Sequence, residues 1–506
     1  MTIALSSADI ERFRAAIALR LGIWFEDQKF EYLAGILERR LELTADVLAR
    51  YLNALEKPNQ ALAELREIAR ELTVGETYFF RHNDQFRAFS EVALPSRMAA
   101  RAITKQLRLL SAGSSSGEEA YTLSILTREH LTDPSWEVTI DGVDVNPNAV
   151  ERARAARYSQ WALRETPLRV QQQYFASEGR EFVLSRAVQT GVRFEEGNLV
   201  ADDSWAPESF DVIFCRNVLM YFTPDNARRV VQRFSRALAP GGFLFLGHAE
   251  NLRGLSHDFE LRHTHATFYY QRRDALARSS VEYGLPELPP LPAPRSALAL
   301  DWASTWLETV QRSSDRIRTL TDQAAAAPRA TPAIAPLAPR LDLSLALELL
   351  SHERFAEALE VLTKMPATSA QDADAVLLRA ALLTHCGQLE AAESACAELL
   401  ALDGMNCGAH YLRALCRERQ NDTRSAIEHA QIASYLDPSF AMPHLHLGLM
   451  ARRMGERETA QRELTQAALL LQREEPSRLL LFGGGFSREG LAALCHSELS
   501  RLGASQ

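Results

Sequence analysis

Apolar residues recur every three or four positions through residues 6–72. Ile10, Phe13, Ile17 and Leu21 make one face, Phe30, Leu33, Leu37 and Leu41 a second, and Leu62, Leu65, Ala69 and Leu72 a third. That period predicts amphipathic helices, the first capped by Ser6 or Ser7. Lys29, Arg39 and Arg40 fall on the polar side of the second, as a solvated face or as a docking surface for an acidic partner. From 107 to 272 the period shortens. The runs 107–112, 138–145, 192–197, 210–216 and 242–247 are short and apolar, and helical stretches alternate with them. This alternation predicts a mostly parallel sheet of the α/β class, ending in an antiparallel edge hairpin over 260–262 and 266–272. Residues 146–190 are rich in Arg and Gln and hold a short insert before the third strand.

Residues 275–340 are Pro- and Ala-rich, with one helical piece around Trp302–Leu320, and such composition predicts a semi-rigid linker. Beyond it a 34-residue period appears: Ala380, Ala414 and Gly448 share one phase, and Ala392, Ala426 and Ala460 another. Small residues at these offsets let paired helices pack closely, as in tetratricopeptide-like repeats. A degenerate unit over Leu343–Leu362 precedes them, and Gly483-Gly484-Gly485 reads as a loop before a capping helix. The organisation expected is therefore a small all-α domain (1–80), an α/β domain (81–274), a linker (275–340) and an all-α repeat domain (341–506).

Composition narrows the function classes. A chain of 506 residues with 46% hydrophobic content suits about three domains. A net charge of −9 argues against a general nucleic-acid binder. No eighteen-residue apolar run and no basic, apolar leader appear, so a cytoplasmic protein without membrane insertion is expected. Six scattered cysteines with no CxxC pair read as buried reduced thiols.

Candidate chemistry centres on Leu107–Leu123, LRLLSAGSSSGEEAYTL. A strand, a loop carrying Gly113 and Gly117, and a helix start make the opening of a doubly wound sheet, where nucleotide-like ligands bind. The spacing is not GxGxxG, and the acids Glu118 and Glu119 suit a nucleoside with a cationic end better than a phosphate. Exposed N–H groups at the helix start can bind polar atoms. Asp144 ends the second strand, where an acid accepts hydrogen bonds from ribose hydroxyls or caps the next helix through Asn146-Pro147. Asn198 offers an amide to an adenine edge, and Asn217 faces the same crevice. TVGETYFFR places Thr77 and Arg81 beside paired aromatics, and Tyr221 lies four residues beyond Asn217. An Arg and a Tyr converging on a crevice suit a carboxylate. No metal-ligand spacing, nucleophile elbow or P-loop is present.

LSAGSSSGEEAYTL, DVIFCRNVLMYF, GGFLFLGHAENL and TVGETYFFR closely resemble the CheR-type chemotaxis-receptor methyltransferases, a likeness that covers roughly residues 1–272 in the family's order, helical domain first and then the sheet. With its appended repeats the chain looks like the subset in alternative chemosensory systems, such as the biofilm-linked Wsp methyltransferases. The resemblance implies a Rossmann-like S-adenosylmethionine-dependent methyltransferase domain and a chemoreceptor's cytoplasmic glutamates as methyl acceptors. It implies cofactor contacts from Thr77, Arg81, Glu119, Asp144, Asn198, Leu199, Arg216 and Asn217 alongside Gly113, with Arg81 and Tyr221 closest to the transfer. It departs at Gly75, where the family usually carries Asn. It departs also at Phe175–Val192, which reads as short for the small β-subdomain some members use to grip a receptor's tail peptide; tethering would then fall to the repeats. The rival reading is a catalytically silent cofactor-binding scaffold acting through those repeats.

Overall fold

The computed structural model describes residues 5–44, 47–57, 60–73, 75–201, 205–273, 343–352, 354–364, 372–484 and 486–504. The expected linker and its helical piece lie outside these residues. Two compact units result, Met1–Pro286 and Glu287–Gln506.

The first unit opens with four helices, α1 (Ser7–Arg20), α2 (Phe30–Thr44), α3 (Leu48–Glu56) and α4 (Leu62–Leu72). Ser6 caps α1 in a capping box with Asp9. The predicted faces meet as one core of Phe13, Ile17, Leu33, Leu37, Leu41, Leu65 and Leu72; Leu62, at the start of α4, instead stays 57% exposed. Arg39 is exposed and pairs with Glu71. Arg40 is not a solvated charge. Both its Nε and Nη2 reach Glu64 at 2.7 Å, and Tyr51 donates to the same carboxylate, so the guanidinium is buried between α2 and α4.

α5 (Asn83–Ala88) and α6 (Leu94–Ala100), joined by a π-helical turn, lead into a seven-stranded sheet. Its strands are β1 (Gln106–Ala112), β2 (Glu137–Asp144), β6 (Val192–Glu196), β7 (Phe210–Cys215), β8 (Leu238–Leu246), β9 (Phe259–Thr264) and β10 (Thr267–Arg272), in the order β6-β2-β1-β7-β8-β10-β9. The first five run parallel; β10 and β9 form the expected antiparallel edge. All six residues of β7 are buried, as a central parallel strand covered on both faces requires. Helices α7 (Glu118–His130), α8 (Pro147–Ala155) and α11 (Pro224–Ala237) cover the sheet. Phe214 stacks between Phe245 (4.4 Å) and Phe86 (5.6 Å), fixing α5 to the sheet beside the end of β7. The order of strand addition reverses between β1 and β7, which sets a crevice at their carboxyl ends.

The insert corrects an expectation. Arg157–Ser159 (β3), Phe175–Glu178 (β4) and Glu181–Leu184 (β5) form a separate antiparallel sheet in the order β3-β5-β4. Phe175–Val192 holds only two of the three strands, with the short helix α10 (Arg186–Gln189) after them; β3 comes earlier, before the short helix α9 (Leu168–Tyr174). A small three-stranded antiparallel sheet is therefore built within residues 157–184.

The second unit is all helical: α12 (Ser344–Ser351), α13 (Phe355–Thr363), α14 (Ala373–His385), α15 (Leu389–Leu402), α16 (Cys407–Arg419), α17 (Thr423–Leu436), α18 (Ala441–Met454), α19 (Arg457–Leu471), α20 (Pro476–Phe482) and α21 (Arg488–Ala504). α14, α16 and α18 start 34 residues apart, and so do α15, α17 and α19. Ala392, Ala426 and Ala460 are fully buried, and a Cβ on Gly448 would lie 2.7 Å from Leu464, so the small phases are where paired helices touch. Five cysteines are buried, while Cys386 is exposed; none of the six forms a disulfide.

Between α16 and α17 the Nδ1 atoms of His410 and His429 lie 3.1 Å apart, and His410 Nε2 lies 3.3 Å from the Gly404 carbonyl. With His410 Nε2–H donating to that carbonyl, its Nδ1 accepts from His429 Nδ1–H, and both rings are neutral. Burial, opposed by the Gly404 bond and helped by Arg413, pushes His410 down to about 4; burial, helped by His410, Arg413 and Arg417 and opposed by Asp422, pushes His429 down to about 3. The folded rings therefore stay unprotonated below the ordinary value of 6.5, and stability present above it is lost as pH falls. Acidification from pH 7.5 to 5 is expected to weaken this region by about 2 kcal/mol per ring. Hydrogen exchange of α16 and α17 in the full chain checks this. A protection profile unchanged at pH 5, after correction for intrinsic exchange, contradicts it.

Candidate active site at the ends of strands 1 and 7

The loop after β1 is built on backbone that only glycine adopts readily. Gly113 (φ +76°) and Gly117 (φ +94°) are left-handed; a Cβ would lie 2.4 Å from Val218 at Gly113 and 2.9 Å from Ala153 and Phe194 at Gly117. The N–H groups of Gly113 and Ser114 donate to the Val143 carbonyl, that of Ser115 to Asp144 Oδ2 (2.8 Å), and that of Gly117 to the Ser114 carbonyl. The first three of these amides hold the loop onto β2, and that of Gly117 closes a turn within the loop. The loop also offers hydroxyl groups: Ser114 Oγ and Ser115 Oγ are buried without a protein partner. Polar groups in that state call for a ligand or water.

Acids surround the loop. Asp144 accepts from Ser115 N and Asn146 N, and Asn146 itself caps α8 through the amides of Asn148 and Ala149, so the acid serves the loop and the turn rather than the helix cap. Burial pushes the carboxyls of Glu118 and Asp144 above the usual carboxylate range. Glu119 accepts from Ser111 Oγ (2.8 Å) and pairs with Arg216 Nε (2.6 Å) in a buried ion pair bridging α7 and the end of β7. Arg216 also donates through Nη1 to the Arg81 carbonyl (2.6 Å) and Gln85 Oε1 (2.9 Å), and lies over the ring of Phe86. One guanidinium thus ties the Thr77–Arg81 strap to the sheet.

Arg81 itself is half-buried; its Nη1 donates to the Glu76 carbonyl and its guanidinium lies 5.7 Å from the Tyr78 ring. Thr77 is half-buried in the same strap. Gly75 stands over the loop: a Cβ there would meet Ser115 Oγ at 3.3 Å and Arg152 Nη2 at 3.4 Å. Next to Arg81, His82 meets His248 edge to face at 4.3 Å. Burial, each other and Arg216 push His82 down to about 4, and burial and Arg216 lower His248, so near neutral pH neither adds a positive charge beside the two arginines.

Asn217 takes a left-handed backbone (φ +58°) directly after β7. Its N–H donates to Glu250 Oε2 (2.7 Å), and the same carboxylate accepts from Gly247 N (2.7 Å), Val218 N (2.8 Å) and Met220 N (3.2 Å). Tyr221, 44% exposed, ends the 3₁₀ turn held this way, and its carbonyl accepts from Trp24 N. Asn198 differs from expectation. Its Nδ2 donates to the Arg20 carbonyl (2.7 Å), which ties the turn carrying buried Leu199 to α1, and its Oδ1 accepts from Val200 N (2.9 Å), which closes that turn. Gly113, Glu119, Asp144, Arg216 and Asn217 gather at the carboxyl ends of β1, β2 and β7; Arg81 joins them through Arg216, and Tyr221 through Glu250. Sequence reasoning missed Glu250 and Gln85. HAENL was quoted only for its likeness, and neither residue differs in type from an ordinary solvated one.

A Rossmann-like sheet with acids and unsatisfied hydroxyls at its switch point suits a nucleoside-like ligand. Residues 75–268 match the family of the CheR methyltransferase, SAM binding domain. The chain is 33% identical over 265 residues to the chemotaxis protein methyltransferase of Salmonella typhimurium, covering 51% of this chain and 89% of that one. It is 28% identical over 416 residues to the probable biofilm formation methyltransferase WspC of Pseudomonas putida, covering 81% and 86%. A thermophilic TPR protein of Thermus thermophilus is similar to 32% of this chain and 91% of its own, at 21% identity and a TM-score of 0.25. The chain belongs to the CheR methyltransferase family, and its cofactor is S-adenosylmethionine. No helix among the described residues is long and apolar enough to cross a membrane.

Proposed function

We propose that this protein methylates glutamate side chains on the cytoplasmic part of a chemoreceptor, in a chemosensory or biofilm-signalling system. The observation that carries this reading is the continuous set of bonds from Glu119 through Arg216 to the Arg81 backbone. It sets a cation beside a crevice lined by cofactor-binding acids. Relatives named as chemotaxis and biofilm methyltransferases support it.

Bound S-adenosylmethionine supplies an electrophilic methyl group. The residues proposed to hold it are Thr77, Gly113, Glu119, Asp144, Leu199, Arg216 and Asn217, with Asn198 setting the position of Leu199. Glutamate ionises at about 4.3, so near pH 7 it is already a nucleophile and no general base is required. Arg81 orients the incoming carboxylate, because a tight pair with the attacking oxygen would hold the ground state. Tyr221 positions it from the other loop, a proximity effect. The β3-β5-β4 sheet returns a receptor-tail grip to the proposed mode of substrate capture, alongside the repeats.

Incubation with methyl-labelled cofactor and receptor-bearing membranes from the same host, followed by mild base, tests this. Label leaving as methanol marks carboxyl esters; label that resists base, or none at all, overturns the reading. Arg81→Ala and Tyr221→Phe are each expected to lower kcat about 10- to 100-fold with cofactor affinity changed less than about threefold. Unchanged turnover in the Tyr221→Phe enzyme removes the hydroxyl from the chemistry.

A further inference from the structure

In the second unit the chain fills its own repeat groove. The first helices of the repeats, α14, α16 and α18, follow one another, with α14 and α16 in contact. After α19 the chain turns back, and the short helix α20 lies against α12 and α14 before α21 packs on α19. Two residues anchor α20. Phe482 is 5% exposed, with its ring centroid 5.1 Å from Phe440 and 5.8 Å from Tyr411. Its floor is Gly408, where a Cβ would stand 2.9 Å from the Phe482 ring. One turn earlier, Arg478 pairs with Asp437 and lies over the Phe440 ring at 5.2 Å. His385 Nε2 lies 3.3 Å from the Leu481 carbonyl, and Glu474 accepts from Ala441 N (2.6 Å).

The surface under α20 is thus a shaped receptor for a peptide: an aromatic slot of Tyr411 and Phe440 over a glycine floor, with an acid one helical turn away. Gly483 and Gly484, the latter at φ +64°, follow the anchor directly and leave α20 joined to α21 by a glycine turn. We infer that this groove is a protein-docking site whose resident occupant is Pro476–Phe482. Its partner is a helical segment presenting an arginine and, four residues later, a phenylalanine, as Arg478 and Phe482 do, and it binds by displacing the resident. Helix-in-groove recognition uses this kind of one-turn anchor spacing. A tethered resident at high effective concentration raises the threshold for any partner in trans.

The probe is a fluorescein-labelled peptide of residues 473–484, added to the full chain. It is expected to bind Phe482→Ala protein at least about tenfold more tightly than wild type, because the resident no longer competes. Gly408→Val in the Phe482→Ala background is expected to abolish that gain, since the floor would be filled. Equal binding to wild type and Phe482→Ala, or binding to neither, overturns the proposal. A second measurement stands apart from any variant: hydrogen exchange of wild-type 476–484 is expected to be at least about tenfold faster than that of α16 and α18, as for a segment that opens alone. Exchange in step with those helices makes α20 part of the repeat core and overturns the proposal as well.

Discussion

Replacing Glu119 with alanine is expected to eliminate measurable S-adenosylmethionine binding and to lower the stability of the catalytic unit by about 3 kcal/mol. The carboxylate is buried, and its two oxygens are held by Ser111 and Arg216. Breaking a buried pair from one side strands the other charge, which usually costs about 3–5 kcal/mol. Here the lower end applies, because Arg216 keeps the Arg81 carbonyl and Gln85 as acceptors. The strap that carries Thr77 and Arg81 hangs on the same guanidinium, so binding and stability should fail together. A double variant, Glu119→Ala with Arg216→Met, removes the stranded charge and should recover about half of the lost stability without recovering binding. Denaturant unfolding and calorimetric titration with cofactor separate the two effects. Wild-type cofactor affinity in Glu119→Ala would take this acid out of the cofactor site. A double variant no more stable than the single would refute the stranded-charge account.

What could be read before any coordinates followed from period and burial. Strands β1, β2, β6 and β7 lie within one or two residues of their predicted runs, because buried parallel strands are short apolar blocks. The repeat phases were legible for a similar reason: Ala380, Ala414 and Gly448 are small where helices touch. Two things were hidden. The β3-β5-β4 sheet joins residues 157–159 to residues 175–184, and pairing across such a gap leaves no local pattern. The second was which charges are structural. Arg39 and Arg40 are neighbours of one type, yet one is exposed and the other is clamped on Glu64, a choice made by tertiary contacts from α4. Gly113, Asp144 and Asn217 were legible as candidates by their place at strand ends, and the structure sets them at the carboxyl ends of β1, β2 and β7. Asn198 follows β6, but the partner of its Nδ2, the Arg20 carbonyl, lies in α1, 178 residues away, and no local pattern marks that bond.

Glu250→Ala is expected to lower kcat about 100-fold, although the residue touches neither methyl donor nor acceptor in the proposed scheme. One buried carboxylate accepts from the amides of Gly247, Asn217, Val218 and Met220, and the last three lie on the path from β7 to Tyr221. Without it, up to four N–H groups lose an acceptor, at about 1 kcal/mol each before water relieves them. Asn217 would then leave its left-handed conformation, which costs about 1 kcal/mol or more to hold without support. Two independent consequences follow: Tyr221 loses its position, lowering kcat, and Asn217 leaves the crevice, weakening cofactor binding. The informative variant is Glu250→Gln, which keeps size and shape. Its amide brings two N–H donors to a place where every bonded neighbour is also a donor, so only its carbonyl oxygen can still accept. Gln is therefore expected to behave nearly as badly as Ala, in both single-turnover rate and cofactor affinity. Near-normal turnover in Glu250→Gln would mean that filling the space is enough. The four amide bonds would then be a consequence of the loop's path and not its cause.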